Sequence, residues 1–199
     1  IIGTHNILET IKEYSSSTIC HICSSSEIFG KVSREELPIK EDCNFHPASP
    51  YAISKIGTDL ISNFYFQAYK IKTLTTRMFT HTGPRRGDVF AESSFAKQIA
   101  MAENGIIENK IFVGNLDSLR TISDVRDAVN AYFMLVTVKP VFGECYNIGG
   151  NQSLTIKEIL DFLISISSIK KKIKIIKDPE RFRPIDADLQ IPNCNKFKS

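Results

Sequence analysis

The 199-residue sequence contains no apolar run near the roughly 20 residues that a bilayer-spanning helix needs, so no membrane partner is expected. Its first residues carry no secretory-signal pattern, and internal repeats and low-complexity tracts are missing throughout, which excludes a repeat array or a biased linker. Cysteine is sparse and odd in number. Cys20, Cys23, Cys43, Cys145 and Cys194 are scattered, with no second CxxC and no histidine pair at zinc spacing. That argues against a metal site and points to a reduced, cytoplasmic compartment. Net charge is also small, at +3, and the lysines bunch at Lys170, Lys171, Lys172, Lys174 and Lys177, too locally for a nucleic-acid footprint. Finally, no GxGxxG occurs anywhere.

What remains is a chain that is 42% apolar and 24% charged, enough for a sizeable core in a soluble globular protein. Ile7, Leu8, Ile11 and Tyr14 recur at helical spacing, and after Ser15-Ser16-Ser17 the segment Thr18 to Cys23 reads as a short buried strand. Tyr51 to Lys70 is predicted as a long helix, with Ser49 as N-cap, Pro50 at the first helical position, and Ile53, Ile56, Leu60 and Phe64 on one face. Strands are expected at Thr73 to Phe79, Lys110 to Val113 and Glu144 to Ile148, and helices at Ser94 to Glu103, Asp124 to Val138 and Thr155 to Ser168. The lysine run alternates with Ile173 and Ile175, as a half-exposed edge strand does. Strands alternating with helices imply βαβ units and a parallel sheet, whose ligands sit at the carboxyl ends of the strands. The segments Ser24 to Gly30, Thr80 to Gly87 and Gly149 to Asn151 are therefore the candidate binding segments.

Tyr51 and Lys55 lie four apart, on one helix face. An ammonium beside a phenol favours the phenolate, so the tyrosine becomes a usable base. The spacing alone is weak, since a surface lysine on an amphipathic helix explains it equally well. Ser24-Ser25-Ser26-Glu27 ends the buried strand before that helix, where a hydroxyl can bond a substrate oxygen and a carboxylate can move a proton at carbon. A serine-rich turn with a solvated glutamate is the competing reading. Cys20 and Cys23 read as core residues flanking His21, and His46 as a loop residue. Arg126 reads as a surface ion pair with Asp124 or Asp127, and Arg85-Arg86 as a phosphate or subunit contact or as solvated charge.

Three stretches carry a resemblance: Ser24 to Gly30, Ser49-Pro50-Tyr51-Ala52-Ile53-Ser54-Lys55, and Arg77-Met78-Phe79. With them the chain resembles the extended short-chain dehydrogenase/reductase family, the NAD-dependent epimerases and dehydratases. Within it, Arg77 to Gly87, Gly114 to Arg120 and Arg181 to Pro184 are similar to the GDP-mannose 4,6-dehydratase group, in collinear order over essentially the whole chain. The resemblance implies an α/β fold with a Rossmann-like parallel sheet, its N-terminal part missing, and a smaller C-terminal substrate domain. Residues 1–82 and 119–150 would belong to the NAD(P)-binding part, and 83–118 and 151–199 to the nucleotide-sugar-binding part. It also implies Tyr51 as base, Lys55 as its activator and ribose contact, Ser25 as the catalytic hydroxyl, and Glu27 as the dehydratase acid/base. NADP or NAD would meet Ser24, Tyr51, Lys55, Phe79, His81 and Arg86. The nucleotide sugar would meet Ser26, Thr80, Arg120, Arg183 and Asp186, the arginines forking onto its diphosphate.

Two features depart from the family pattern. Thr80 stands where asparagine is usual, and Asp88 to Phe95 replaces a more basic stretch. The Gly-rich turn that cradles the pyrophosphate is also absent. Residues 1–199 are therefore expected to be a fragment, inactive by itself. A 4-epimerase or 4-ketosugar reductase would use Tyr51 and Lys55 without Glu27. A non-catalytic nucleotide-binding protein would have no use for Ser25, Tyr51 or Lys55. A homodimer or homotetramer is expected, with Phe64-Tyr65-Phe66 in a possible helix-on-helix contact.

Overall fold

The computed structural model describes residues 1–138, 140–182, 185 and 187–199. Along the chain run α1 (Ile2–Tyr14), β1 (Cys20–Cys23), α2 (Pro50–Tyr69), β2 (Thr73–Met78), β3 (His81–Thr82), α3 (Ala91–Glu103), β4 (Lys110–Val113) and β5 (Leu119–Asp124). They are followed by α4 (Val125–Thr137), β6 (Cys145–Ile148), β7 (Gln152–Thr155), α5 (Ile156–Ile166), β8 (Lys174–Lys177), β9 (Leu189–Gln190) and α6 (Asn195–Lys198). Among the described residues no helix is long and apolar enough to cross a membrane.

The expected parallel sheet is present as β1-β2-β6, with Cys23 opposite Thr76 and Thr75 opposite Cys145. Parallel neighbours need a crossover, and α2 supplies it between β1 and β2. Every residue of β2 is buried, because helices cover both faces of the sheet. Leu74 and Met78 pack with Ala128, Ala131 and Leu135 of α4. Thr73, Thr75 and Arg77 point the other way and meet α2. The hydroxyls of Thr73 and Thr75 bond the Ser62 carbonyl and hydroxyl at 3.1 and 3.0 Å.

The strand alternation separates the two cysteines of β1. Cys20 packs with Leu8, Tyr65 and Ile71 under α1 and α2, and burial raises its thiol pKa. His21 faces α4, where its ring centre lies 4.7 Å from that of Tyr132 and its Nε2 is 2.9 Å from the Thr76 hydroxyl. Cys23 is exposed rather than a core residue, since it ends the strand.

A second core lies under the parallel pair β4–β8, where Ile111 and Val113 meet Phe95, Ile99, Ile156, Ile159 and Leu160 of α3 and α5. Thr155 and Glu158 form a capping box at the start of α5. The edge strand is where the lysine run predicts it, but its apolar residues divide differently. Ile173 packs into this core, whereas Ile175 is 43% exposed, because among the described residues β8 pairs only with β4.

The strands β5, β7 and β9 lie outside the sequence expectation. β5 is central: it pairs antiparallel with β7 and parallel with β3 and β9. The Gly30–Ser49 connection crosses the carboxyl ends of the strands and is held there by its backbone. The Ile39 amide donates to the Ile191 carbonyl at 2.8 Å, and the Asn147 side chain donates to the Ile39 carbonyl at 2.9 Å. Gly30 has φ +56°, and a Cβ there would sit 1.5 Å from the His46 carbonyl oxygen, so no other residue fits.

Candidate active site

Beyond β1 the Ser24 amide donates to the Thr76 carbonyl at 2.8 Å, extending the sheet by one residue. Ser25 then caps a 3₁₀ turn, Ser26–Ile28, its hydroxyl oxygen accepting from the Glu27 amide at 3.2 Å. Ile28 and Phe29 are fully buried and anchor the turn from behind, leaving Glu27 half-buried at the sheet's carboxyl edge. Ser24 and Ser26 are buried, and the Ser24 hydroxyl oxygen has no hydrogen-bond partner.

The helix start follows the sequence reading. The Ser49 hydroxyl accepts from the Ala52 amide at 3.1 Å, and Pro50 opens the helix. Tyr51 is therefore on the first turn and 53% exposed. Lys55 follows one turn later, with Nζ 5.7 Å from the Tyr51 ring centre. The same ammonium donates to the Cys23 carbonyl at 2.7 Å, pinning the helix to the end of β1.

Two cavities open at this edge. The larger, about 660 Å³, is walled by Ser25, Glu27, Tyr51, Phe79, Thr80 and His81, together with Ser49 and Ile185. The smaller, about 290 Å³, is walled by Glu92, Ser94, Asn115, Ser118, Arg120 and Arg181. Glu27, Thr80, Arg86 and Phe90 border both. Seven of the expected residues thus meet in the larger cavity, and Arg120 in the adjoining one. Ser24, Ser26 and Lys55 stand behind the walls rather than in them, and Arg183 and Asp186 lie outside the described residues. The His81 Nδ1 is 3.2 Å from the Phe79 carbonyl.

Arg120 lines the smaller cavity while one of its guanidinium nitrogens donates to the Ala187 carbonyl. Arg181 is tied to Asp178 at 3.1 Å and to the Ser94 hydroxyl at 3.3 Å. Arg126 pairs with Asp124 at 2.6 Å at the surface, as its neighbours suggest, and that contact holds the Asp124 carboxyl well below the usual range. Several polar wall residues carry no binding role in the sequence reading. Asn115, Ser118 and Arg181 lie inside quoted motifs, and Glu92 and Ser94 lie inside the divergent Asp88 to Phe95 stretch, where only the departure from the family pattern marks them. Among the described residues no three His, Cys, Asp or Glu side chains converge as a metal site.

A family model described as GDP-mannose 4,6 dehydratase matches residues 1–199, the entire chain. The chain belongs to that family. It is 32% identical over 183 residues to the GDP-6-deoxy-D-mannose reductase of Pseudomonas aeruginosa, covering 92% of this chain and 59% of the reductase. It is 32% identical over 200 residues to GDP-mannose 4,6 dehydratase 1 of Arabidopsis thaliana, covering 99% of this chain and 52% of that protein. Family membership thus spans the whole chain, while the chain spans little more than half of these relatives. Among solved structures it is similar to RMD from Pseudomonas aeruginosa complexed with NADPH, with TM-score 0.88, 29% identity, and coverage of 99% of this chain and 64% of that one. It also resembles the dTDP-glucose 4,6-dehydratase of Bacillus anthracis in complex with NAD, with TM-score 0.83, 25% identity, and coverage of 100% and 60%. These neighbours accord with the α/β, Rossmann-like architecture.

Proposed function

We propose that the protein is a nucleotide-sugar 4,6-dehydratase, with GDP-mannose as the preferred substrate, working with NADP or NAD. The convergence of Ser25, Glu27 and Tyr51 on one cavity carries this reading, because the reaction needs one base for a hydroxyl and a second for a carbon acid. The donor set suits a nicotinamide nucleotide. Tyr51 lines the cavity where a reacting hydroxyl can sit, with the Lys55 ammonium behind it 5.7 Å from its ring centre, Phe79 offers an apolar wall, and Arg86 offers a cation for phosphate. When bound, that cofactor takes a hydride from sugar C4 and returns it at C6, so nothing is oxidised overall.

The chain's own residues then have distinct tasks. Tyr51 removes the O4 proton, and the neighbouring Lys55 ammonium stabilises the phenolate. The Ser25 oxygen already accepts from the Glu27 amide, so its hydrogen is free to donate to the sugar oxygen. Glu27 takes the C5 proton, acidified by the adjacent ketone, and passes it to the departing C6 hydroxyl as water leaves. The enolate left after hydride return is reprotonated at C5 from solvent while Tyr51 releases the O4 proton, so the net loss is one water. Arg120, Arg181 and Arg86 hold the diphosphate side, with Arg183 and Asp186 as further contacts, whereas Ser26, behind the wall, supports the turn that carries Glu27.

We assign residues 1–82 and 119–150 to the cofactor part and 83–118 and 151–199 to the sugar-nucleotide part. The assignment is supported by the β1-β2-β6 sheet in the first set and the β4–β8 pair in the second. Ile2 and Ile7 of α1 and Ile53, Leu60 and Phe64 of α2 are exposed apolar residues, which supports a homodimer or homotetramer joined through these helices. Five free thiols support a cytoplasmic setting.

Similarity to the Pseudomonas reductase favours a second reading, reduction of a 4-keto sugar nucleotide, in which Tyr51 delivers the proton to O4 and Glu27 is idle. The two are separated by incubating the purified full-length protein with GDP-mannose and NADP in deuterated water. A 4-keto-6-deoxy product carrying deuterium at C5 is expected. No such product, together with NADPH consumption on the 4-keto substrate, would establish the reductase instead.

A further inference from the structure

Arg86, which borders both cavities, meets Glu92 in the wall of the smaller one. Their Nε and Oε1 atoms are 2.6 Å apart, and the side chains are only 17% and 12% exposed. The N–H is not directed along that contact, however, and both atoms are buried without a hydrogen bond. A buried ion pair repays its desolvation only when hydrogen bonds complete it, so this pair is electrostatically engaged but poorly satisfied. Meanwhile the guanidinium is held in place: its centre lies 3.7 Å from the Phe90 ring centre, and the Arg86 amide closes a turn onto the Gly83 carbonyl at 3.2 Å. A planar cation, oriented by a ring and lacking an in-line acceptor, suits two phosphate oxygens better than it suits this carboxylate.

Glu92 has an alternative as well. It sits in the first turn of α3, whose N-cap Phe90 provides no side-chain acceptor for the opening amides. A carboxylate released from Arg86 is stabilised there.

We propose that Arg86 and Glu92 form an exchangeable clasp, in which Glu92 occupies the arginine until a nucleotide diphosphate enters and takes its place. Glu92 is thereby a specificity-determining residue that weakens binding of any ligand unable to displace it. The diphosphate has two sources, the sugar nucleotide and the cofactor. Only this choice of ligand rests on the nucleotide-sugar reading of the site.

The test is calorimetric titration of the intact protein, as wild type, Glu92→Gln and Arg86→Gln, with inorganic diphosphate, GDP and NADP. Glu92→Gln is expected to lower Kd for inorganic diphosphate and for one nucleotide by about fivefold, while Arg86→Gln raises both by at least that factor. A response confined to GDP assigns the clasp to the sugar nucleotide, and one confined to NADP assigns it to the cofactor. Unchanged or weaker diphosphate binding in Glu92→Gln overturns the clasp, as does absence of diphosphate binding to all three proteins. Tightened binding without turnover of GDP-mannose leaves the clasp standing and rejects the dehydratase. Turnover with diphosphate binding insensitive to Glu92 does the reverse. Both variants replace a charged group with a neutral polar one, and their thermal unfolding midpoints verify that they fold.

Discussion

The Arg77 guanidinium and the Asp59 carboxylate are joined in the interior, Nε to Oδ2 at 2.9 Å, linking β2 to α2. The same guanidinium donates to the Glu41 carbonyl at 2.6 Å and lies against the adjacent rings of Phe29 and Phe45, 5.4 and 5.1 Å from their centres. Phe29 ends the turn that carries Glu27, and Asp59 lies two turns beyond Tyr51 on α2. One buried cation therefore fixes the two proposed proton-transfer groups relative to each other. Removing its partner leaves it uncompensated. Asp59→Ala is expected to cost about 3–5 kcal/mol in urea unfolding, whereas the double variant Asp59→Leu with Arg77→Met recovers most of that loss. A single variant within about 0.5 kcal/mol of wild type would show that water reaches the pair.

Tyr51 is half exposed and makes no side-chain hydrogen bond on which the fold depends. Tyr51→Phe should keep the wild-type unfolding midpoint while kcat falls by about 10²–10⁴. Retained turnover would remove Tyr51 from the proton path.

Glu27→Gln separates the half-reactions. Oxidation at C4 needs only Tyr51, so reduced nicotinamide should accumulate in a burst while formation of the 6-deoxy product stops. Equal product from wild type and variant, followed by absorbance and mass spectrometry, would free Glu27 from the carbon-acid step.

A pH effect on stability is expected from His21. Burial beneath Tyr132 and beside Thr76 lowers its pKa from the ordinary value of 6.5. The unfolded chain then binds the proton more readily than the native one, so stability is full above pH 6.5 and declines as pH falls below it. His21→Gln should flatten the unfolding midpoint between pH 7 and 5. An unchanged slope would place the acid sensitivity on another group.

The central parallel sheet was legible because β1 and β2 are covered on both faces and read as continuous buried segments. The Tyr51 helix was legible because its first turn is written in local chemistry, with Ser49 as cap and Pro50 after it. β5 and β7 were not, because Leu119-Arg120-Thr121-Ile122 and Gln152-Ser153-Leu154-Thr155 lack a strong alternation and owe their extended form to each other. The alternation of Ile173 and Ile175 with lysines marked a half-exposed edge strand but carries no information about which of the two isoleucines is covered. The Arg86–Glu92 contact was equally silent, since it depends on how the Gly83 turn folds against the start of α3. Serine, glutamate, tyrosine and lysine could be read from motifs, whereas the neck between the cavities exists only in three dimensions.

β5 also constrains the order of assembly. Leu119 pairs with Thr155 on one side and Leu189 on the other, and Arg120 with Leu154 and Gln190. Such pairings close large loops before they return any stabilisation, and so they form late. A chain emerging N-terminus first can complete the β1-β2 layer and present Ser25 and Tyr51 while Arg120 still lacks its neighbours. The wall proposed to meet a diphosphate is thus finished only after Gln190 has left the ribosome, and a nascent chain should acquire its tyrosine–lysine pair well before that wall is complete.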